Sequence, residues 1–429
     1  RWEVDPDQNT VTLYLRRGIK FHDGTEFNAE AVRFNLEKQK EVGRLPTVES
    51  IEVVDPYTVR LNLIYYSIDI LSTLASTTAL QASPTAIEQN GLEWARYHPV
   101  GTGPFKFVEY VRDSHAKFER FDEYWNRGDE GKPYVDEIEL RFIRDAQTVR
   151  AAFLNGDIDA FAASDPAVAS ELLGMGYPAI DGGSGTSVTV LEPSSANSDS
   201  PFADRRVREA VYLAIDREAI AKALGYGLSE PAYQIAHPDW IFYLQDFQGG
   251  RYDPDRARQL LAEAGYPNGF STRLITTNTA NREYSTALQE QLAKVGIQVE
   301  IQAVENTRYQ EYRQGGWEGL LFDVYSFLTG KRVINFFLDE DAPSVYKSLR
   351  RPDSLVQLFK QEEEQPPLSQ DDERRIGLEM AKAVMEDFTV IPVTMSSIRY
   401  IHHPYVKDFT ILRWQSYPFW TPADLWLDK

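Results

Sequence analysis

The stretch from Gly101 to Ala160 constrains this chain more than any other. It opens Gly101-Thr102-Gly103-Pro104, a run no helix tolerates, because glycine admits positive φ and proline fixes its own φ. Two strand-like runs follow, Pro104 to Tyr110 and His115 to Arg120, and a longer one covers Glu137 to Ile143. A helix is predicted through Thr148 to Leu154, then Gly156, then a strand starting at Asp157. The residues before this stretch read as an elaboration on one side of it, and those after it as a second α/β body.

With 429 residues the chain has room for two or three domains with sizeable cores. A formal charge of −20 argues against nucleic acid and anionic lipid surfaces as partners. No apolar run reaches the roughly 18 residues that a membrane span needs. Cysteine is absent, which removes disulfides, thiolate metal sites and a cysteine nucleophile at once.

Taken in order, residues 2–15 read as a hairpin turning through Asp5 to Asn9, with Val11, Leu13 and Leu15 on one face. Asn28 is placed to cap a helix carrying Ala31, Val32 and Leu36. A second hairpin turns at Asp55-Pro56-Tyr57, and a short helix spans Pro84 to Gln89. His22 beside Asp23 is read as structural, since neighbours in a turn cannot both face one substrate.

Further on, a helix covers Pro166 to Leu173, and Asp181-Gly182-Gly183-Ser184-Gly185-Thr186 reads as a crossover between bodies or a cleft-lining loop. Asp204 and Asp216 cap successive helices, and Arg205, Arg206 and Arg208 are read as a solvated helix face. Asp253-Pro254 opens a helix closed by Gly265. Strand Thr272–Thr276, helix Tyr284–Val295 and strand Ile297–Ile301 make a βαβ unit, which implies parallel strands. Residues 338–370 read as irregular and Glu362-Glu363-Glu364 as an exposed loop, before Ser369 caps another helix. The aromatic tail, with Trp414, Tyr417, Phe419, Trp420 and Trp426, is expected to form core and edge packing.

Several of these pieces stand in one order. Gly101–Phe105 is followed by Asp122-x-x-Tyr124-Trp125, Val135-Asp136-x-Ile138 and Gly156-Asp157-Ile158-Asp159. Leu15–Thr25 precedes them, and Pro201-Phe202-x-Asp204 with Val207-Arg208 and Ala214–Arg217 comes after. This set resembles the signature of the extracellular solute-binding proteins of family 5, the dipeptide, oligopeptide and nickel receptors of ABC importers. The resemblance implies an α/β, two-lobed, periplasmic-binding-protein-like fold of type II, cluster C, with an accessory domain in the first lobe. It places residues 1–98 in the accessory part of lobe 1, 99–192 in the lobe 1 core, 193–394 in lobe 2 and 395–429 back in lobe 1. It also implies that a strand-rich N-terminal segment of lobe 1 is missing, and with it any signal or lipid anchor.

The function so implied is an extracytoplasmic receptor, in the periplasm or on the outer membrane face as a lipoprotein. It hands a peptide, sugar, opine or metal complex to a membrane ABC permease, works as a monomer, and has no cofactor, no metal site and no catalytic residues. The chain is expected to cross between bodies near Leu191 to Pro201 and near Val393 to Tyr400. Aromatic and polar residues at strand ends would line the cleft. Those singled out are Thr186, Thr189, Trp240, Tyr243, Asn278, Tyr325, Phe327 and Tyr400, with Lys331 and Arg332 for an anionic group. Trp240, Tyr325 and Phe327 are the stacking candidates, weighed equally against a core role. Peptide receptors of the family place an aspartate shortly after the Phe-Asp-Val strand to pair with the ligand's α-amine. Here Tyr325 to Arg332 carries none, which weighs against a peptide with a free N-terminus. The alternatives are a glycosidase-like hydrolase using Asp157 and Asp159, or a sensor or chaperone on the same fold.

Overall fold

The computed structural model describes the chain except residues 129–130, 183–186, 239–241, 248, 279–281, 327–333, 335–337, 339–345, 415–416 and 421. For residues 326, 411–414 and 417–420 it gives the backbone alone. The N-terminal part is a four-stranded antiparallel sheet, order β1-β2-β4-β3, with one long helix packed on it. Its strands are β1 (Trp2–Asp5), β2 (Thr10–Tyr14), β3 (Val48–Asp55) and β4 (Thr58–Leu63), and the helix is α1 (Ala29–Glu41). The Asn28 side chain accepts the Ala31 N–H, as the sequence predicts, and so satisfies an amide the helix cannot. Val59, Leu61 and Leu63 alternate inward onto Ala29, Val32 and Leu36, which builds a separate small core.

Short helices α2 (Asp69–Leu74), α3 (Pro84–Asn90) and α4 (Leu92–Ala95) lead back to the Gly-Thr-Gly-Pro turn. Neither Gly101 nor Gly103 adopts a positive φ, against expectation. Gly101 instead lies close to a neighbour: a Cβ there would sit 3.9 Å from the His22 ring. The Gly101 N–H donates to His22 Nδ1 at 3.3 Å, and His22 Nε2 lies 3.0 Å from the Gly103 carbonyl. Burial holds the His22 pKa below its ordinary value, so the ring is neutral and donates through Nε2. His22 thus stitches together two of the sequence signatures and has no catalytic geometry.

A three-stranded antiparallel sheet, order β5-β6-β7, comes next: β5 (Phe105–Val111), β6 (His115–Arg120) and β7 (Glu137–Arg141). Helix α5 (Ala146–Leu154) follows, capped by Asp145. The strand predicted to start at Asp157 begins later, as β8 (Ala160–Ala163), because Gly156 takes φ +78° and turns the chain first. Helix α6 (Pro166–Gly174) and strand β9 (Ala179–Asp181) complete this part.

The second body is a six-stranded mixed sheet in the order β11-β15-β10-β14-β12-β13. Its elements are β10 (Ser187–Pro193), α7 (Arg205–Leu213), α8 (Arg217–Leu224), β11 (Ser229–Pro231), α9 (Pro254–Glu263), β12 (Phe270–Thr277), α10 (Arg282–Ala293) and β13 (Ile297–Val304). They continue with α11 (Asn306–Gly315), β14 (Leu320–Ser326), α12 (Asp353–Glu364), α13 (Gln370–Glu386) and β15 (Ile391–Ser396). The predicted βαβ unit is present: β12 pairs parallel with β13, from Phe270↔Ile297 to Thr277↔Val304. Asp204, Asp216, Asp253 and Ser369 all cap as expected.

Two expectations fail here. The segment read as irregular contains α12, and Glu362–Glu364 close that helix. Arg208, read as solvated, is fully buried. It donates to Asp387 Oδ2 at 2.6 Å and to the carbonyls of Phe202, Ala203 and Asp387. Arg217 is also buried, and among the described residues it donates to backbone carbonyls alone, those of Tyr212, Ile215, Ala232 and Pro392. Burial lowers its pKa to about 10, still charged at neutral pH. Both arginines tie helix ends to distant backbone, a role no helical periodicity reveals.

Strand β16 (Arg399–His402) then returns to the first body and lies between β8 and β9. The tail forms β17 (Val406–Lys407), β18 (Ile411–Trp414), β19 (Tyr417–Trp420) and β20 (Trp426–Leu427). The side chains of Trp414, Tyr417, Phe419 and Trp420 lie outside the described residues. Trp426 is exposed and donates to Asp408 Oδ2 at 2.8 Å, so it closes an edge and not a core.

Candidate functional site

Two crossings join the bodies, and one is displaced from its predicted place. Residues 191–201 were the expected first crossing, but β10 is already a central strand of the six-stranded sheet, flanked by β14 and β15. The chain crosses earlier, between Asp181 and Ser187, where the sequence also offered the glycine-rich run as a crossover. The second crossing, between Ser396 and Arg399, falls where expected. The two lie side by side: the Gly182 N–H donates to the Ile398 carbonyl at 2.8 Å. Gly182 is buried there, and a Cβ on it would meet the Ile398 oxygen at 2.9 Å and the Tyr400 ring at 3.0 Å. Beside them Arg399 and Asp181 pair at 2.7 Å. A pair of short adjacent crossings lets two rigid bodies rotate with few torsions changed.

The sheet presents a distinct edge to these crossings. Because β12 runs parallel to both β13 and β14, the carboxyl ends of the three strands lie on one side of the sheet, Thr277 level with Val304 and β14 running on to Ser326. Ser326 is in register with Ser187, Ser187 with Ser396, and Ser396 with Ser229. A serine therefore stands at this edge on four neighbouring strands, ending β14 and β15 and opening β10 and β11. In open α/β sheets, the crevice beyond the carboxyl ends of the strands is where ligands bind. The N-termini of α10 and α11 open on the same side, since each follows one of these strand ends.

The predicted site residues divide three ways. Thr189, Asn278 and Tyr400 lie at this edge or at the crossing. Thr189 is half-buried, in register with Val324 and Thr394. Val324 is 44% exposed in mid-strand, so among the described residues no helix packs over it. Asn278 is exposed, and its Nδ2 donates to Glu305 at 2.5 Å, tying the end of β12 to the start of α11. Tyr400 packs on Gly182. Tyr243 is half-buried beside Leu244, whose N–H donates to Gln234 Oε1 at 2.8 Å. Thr186, Trp240, Phe327, Lys331 and Arg332 lie outside the described residues.

Tyr325 belongs to the core. Strand alternation turns it away from Val324, onto the face that carries Val188, Asp323 and Glu192, where it donates to the Glu192 carboxyl. Tyr346 donates to Asp323 at 3.0 Å and Arg313 lies 3.5 Å from it. Glu192 is fully buried with Oε2 unpartnered, and burial, then the Asp323 charge, pushes its pKa well up. The burial of this acid was not legible in the sequence, because one charged residue in an apolar strand has no periodicity.

A carboxyl raised in the fold stabilises while it keeps its proton. That contribution is complete below the ordinary glutamate value of about 4.3 and is lost as pH climbs toward the raised value. Glu192→Gln stays neutral throughout, so its unfolding temperature relative to the parent is expected to rise from pH 5 to pH 9. A difference that does not change with pH would show that Glu192 is ionised in the fold.

A cavity of about 650 Å³ lies within the first body, between β7 and β8. Each of these is the outer strand of its three-stranded sheet, so the cavity separates two unpaired sheet edges. Asp157 and Asp159 border it. They do not form a catalytic pair: Asp159 accepts from Tyr405 at 2.8 Å and Lys429 at 2.9 Å, while Asp157 is exposed. Burial works to raise Asp159, but these two hydrogen bonds outweigh it and hold its pKa below the usual range.

Comparison with known proteins accords with this geometry. The profile of the bacterial extracellular solute-binding proteins, family 5 Middle, matches residues 1–330. The glutathione-binding protein GsiB of Shigella flexneri is 36% identical over 317 residues, which is 71% of this chain and 60% of that protein. The GsiB of Salmonella choleraesuis is 35% identical over the same shares. The chain thus spans about 60% of the length of these relatives. Among solved structures, NikA from Brucella suis in complex with Fe(III)-EDTA superposes with a TM-score of 0.85 at 22% identity, covering 100% of this chain and 90% of that one. DppA from Helicobacter pylori in complex with the peptide STSA gives 0.83 at 22%, covering 100% and 88%. These neighbours share the two-lobed fold of periplasmic binding proteins. By its matched profile and its 35%-identical relatives, the chain belongs to the bacterial extracellular solute-binding proteins of family 5.

Proposed function

We propose that this chain is the receptor of an ABC importer outside the cytoplasm. It binds a small polar or peptide-like solute between its two bodies and hands it unchanged to a membrane permease. The observation that carries this reading is the pair of adjacent crossings at Gly182 and Ile398, set against the carboxyl ends of β12, β13 and β14. A solute seated there touches both bodies only when they close, so its binding energy goes into closure. The 650 Å³ cavity is a poorer candidate, because a solute inside one body does nothing to bring the two together.

Thr189, Asn278 and Tyr400 are proposed to touch the solute, with Lys331 and Arg332 meeting an anionic group. Thr186, Trp240, Tyr243 and Phe327 complete the proposed lining. Residues 1–181 with 397–429 are proposed as one lobe and 187–396 as the other, acting as a monomer, free in the periplasm or anchored as a lipoprotein. Glutathione is the first solute to test, since it is the one named for relatives at about 35% identity. Its free carboxylates suit a cationic segment, and its amine need not meet the aspartate that this chain lacks.

A solute present at a hundred times its Kd should stabilise the fold by about 2.7 kcal/mol, read as a rise in Tm. Mass spectrometry should recover it unaltered. Conversion of the solute, or no shift with glutathione, short peptides, opines or metal chelates, would defeat the receptor reading.

A further inference from the structure

The two bodies touch away from the crossings. The Ile68 N–H, in the first body, donates to the Pro367 carbonyl of the second at 2.8 Å. Among the described residues this is the one backbone hydrogen bond between residues 1–181 and 187–396. Each side is anchored in its own core. Tyr66 and Ile70, on either side of Ile68, are buried in the small core under the four-stranded sheet. Pro367 lies in the loop between α12 and α13, and α13 carries Ile376, Met380 and Val384 into the large core.

The chemistry of the contact is specific. Ile68 is the N-cap of α2, so its amide belongs to the set at a helix start that helical bonding leaves open. A carbonyl from the opposite body supplies a partner. The acceptor sits in Pro366-Pro367, whose fixed φ values hold it in place at little entropic cost. Pro367 is buried while Gln365 and Leu368 beside it are exposed. Tyr65 borders the same contact: burial, then the charges of Glu362, Asp69 and Glu363, hold its phenol pKa up.

We propose that residues 64–69 and 365–368 form a latch between the two bodies, made when they close and broken when they part. It rests on the receptor reading above and adds a regulator of the same site. By favouring the closed form without solute, the latch sets how often the cleft is open to receive one, and so slows capture while delaying release.

The test uses the solute-free protein. The chain has no cysteine, so Val42→Cys in α1's C-cap and Lys382→Cys in α13 take spin labels cleanly, both at exposed positions. Pulsed dipolar spectroscopy should give one narrow distance for this labelled parent. Ile68→Pro removes the donor amide without imposing a new φ, because Ile68 already has φ −58°, within the proline range. It should move the distribution to longer, broader distances, and Ile68→Ala, which keeps the amide, should match the parent. Pro366→Gly with Pro367→Gly loosens the acceptor side and should act in the same direction, which guards against misfolding of the proline variant. A parent already broad and long, or both latch variants unchanged, overturns the proposal. Either result leaves the thermal shift by solute untouched, so failure of the latch and failure of the receptor reading are separate outcomes.

Discussion

Replacing Gly182 by alanine is expected to weaken solute binding roughly ten- to a hundredfold, while the six-stranded core keeps its packing. The new Cβ would sit 2.9 Å from the Ile398 carbonyl oxygen and 3.0 Å from the Tyr400 ring. The first of these is backbone, on the opposite crossing, and cannot swing aside as a side-chain tip would. Overpacking of this kind costs about 1–3 kcal/mol. It falls on the hydrogen bond that holds the two crossings together, and thereby on the angle between the bodies. Each 1.4 kcal/mol lost from the closed form is about tenfold in affinity. Titration calorimetry with whichever solute raises the Tm measures it. Gly174→Ala, in α6 with open space around it, is the control and should bind as the parent does. Parent-like affinity in Gly182→Ala would remove the crossings from the mechanism.

Arg208→Ala should be the most damaging single change to stability, at about 3–5 kcal/mol in urea unfolding. Alanine would leave the Asp387 carboxylate, now 15% exposed, without its 2.6 Å partner. It would also orphan the carbonyls of Phe202 and Ala203, which accept from the same guanidinium. Desolvation lowers the Arg208 pKa while the Asp387 charge works to raise it, so the charge is retained by its partner. Arg205, one turn away and half exposed, pairs with Glu209 at 2.8 Å in solvent. Its alanine variant should lose less than about 1 kcal/mol, because surface pairs contribute little. Equal losses in both variants would show that burial is not the source of the effect.

These two residues mark the limit of what the sequence discloses. Arg205, Arg206 and Arg208 are adjacent on one helix and chemically alike, and only the last is enclosed. Its carboxylate partner lies 179 residues further along the chain. Tyr325 shows the same limit: the sequence allowed a stacking role or a core role, and the facing Glu192, on a neighbouring strand, decides for the core. Helix α12 was missed although Leu355, Leu358 and Phe359 stand at i, i+3 and i+4, because the stripe is a single turn long and the acidic run Glu362–Glu364 with Pro366-Pro367 dominates the segment. The first crossing was placed too late because Ser187–Pro193 reads equally as the last strand of one body or the first of the next.

By itself the sequence determined the local elements and their caps. Asn28, Asp204, Asp216, Asp253 and Ser369 start helices through bonds within three residues, and the parallel pairing of β12 with β13 follows from the helix that connects them. Such interactions are short in chain distance, so residue type and spacing suffice to read them. The ordered motifs also carried the family. Only the tertiary structure decided where the chain crosses between bodies, which charged groups are sealed in, and that Ile68 meets Pro367. Each of these depends on which distant segments share a wall, and a chain written in one dimension does not record that.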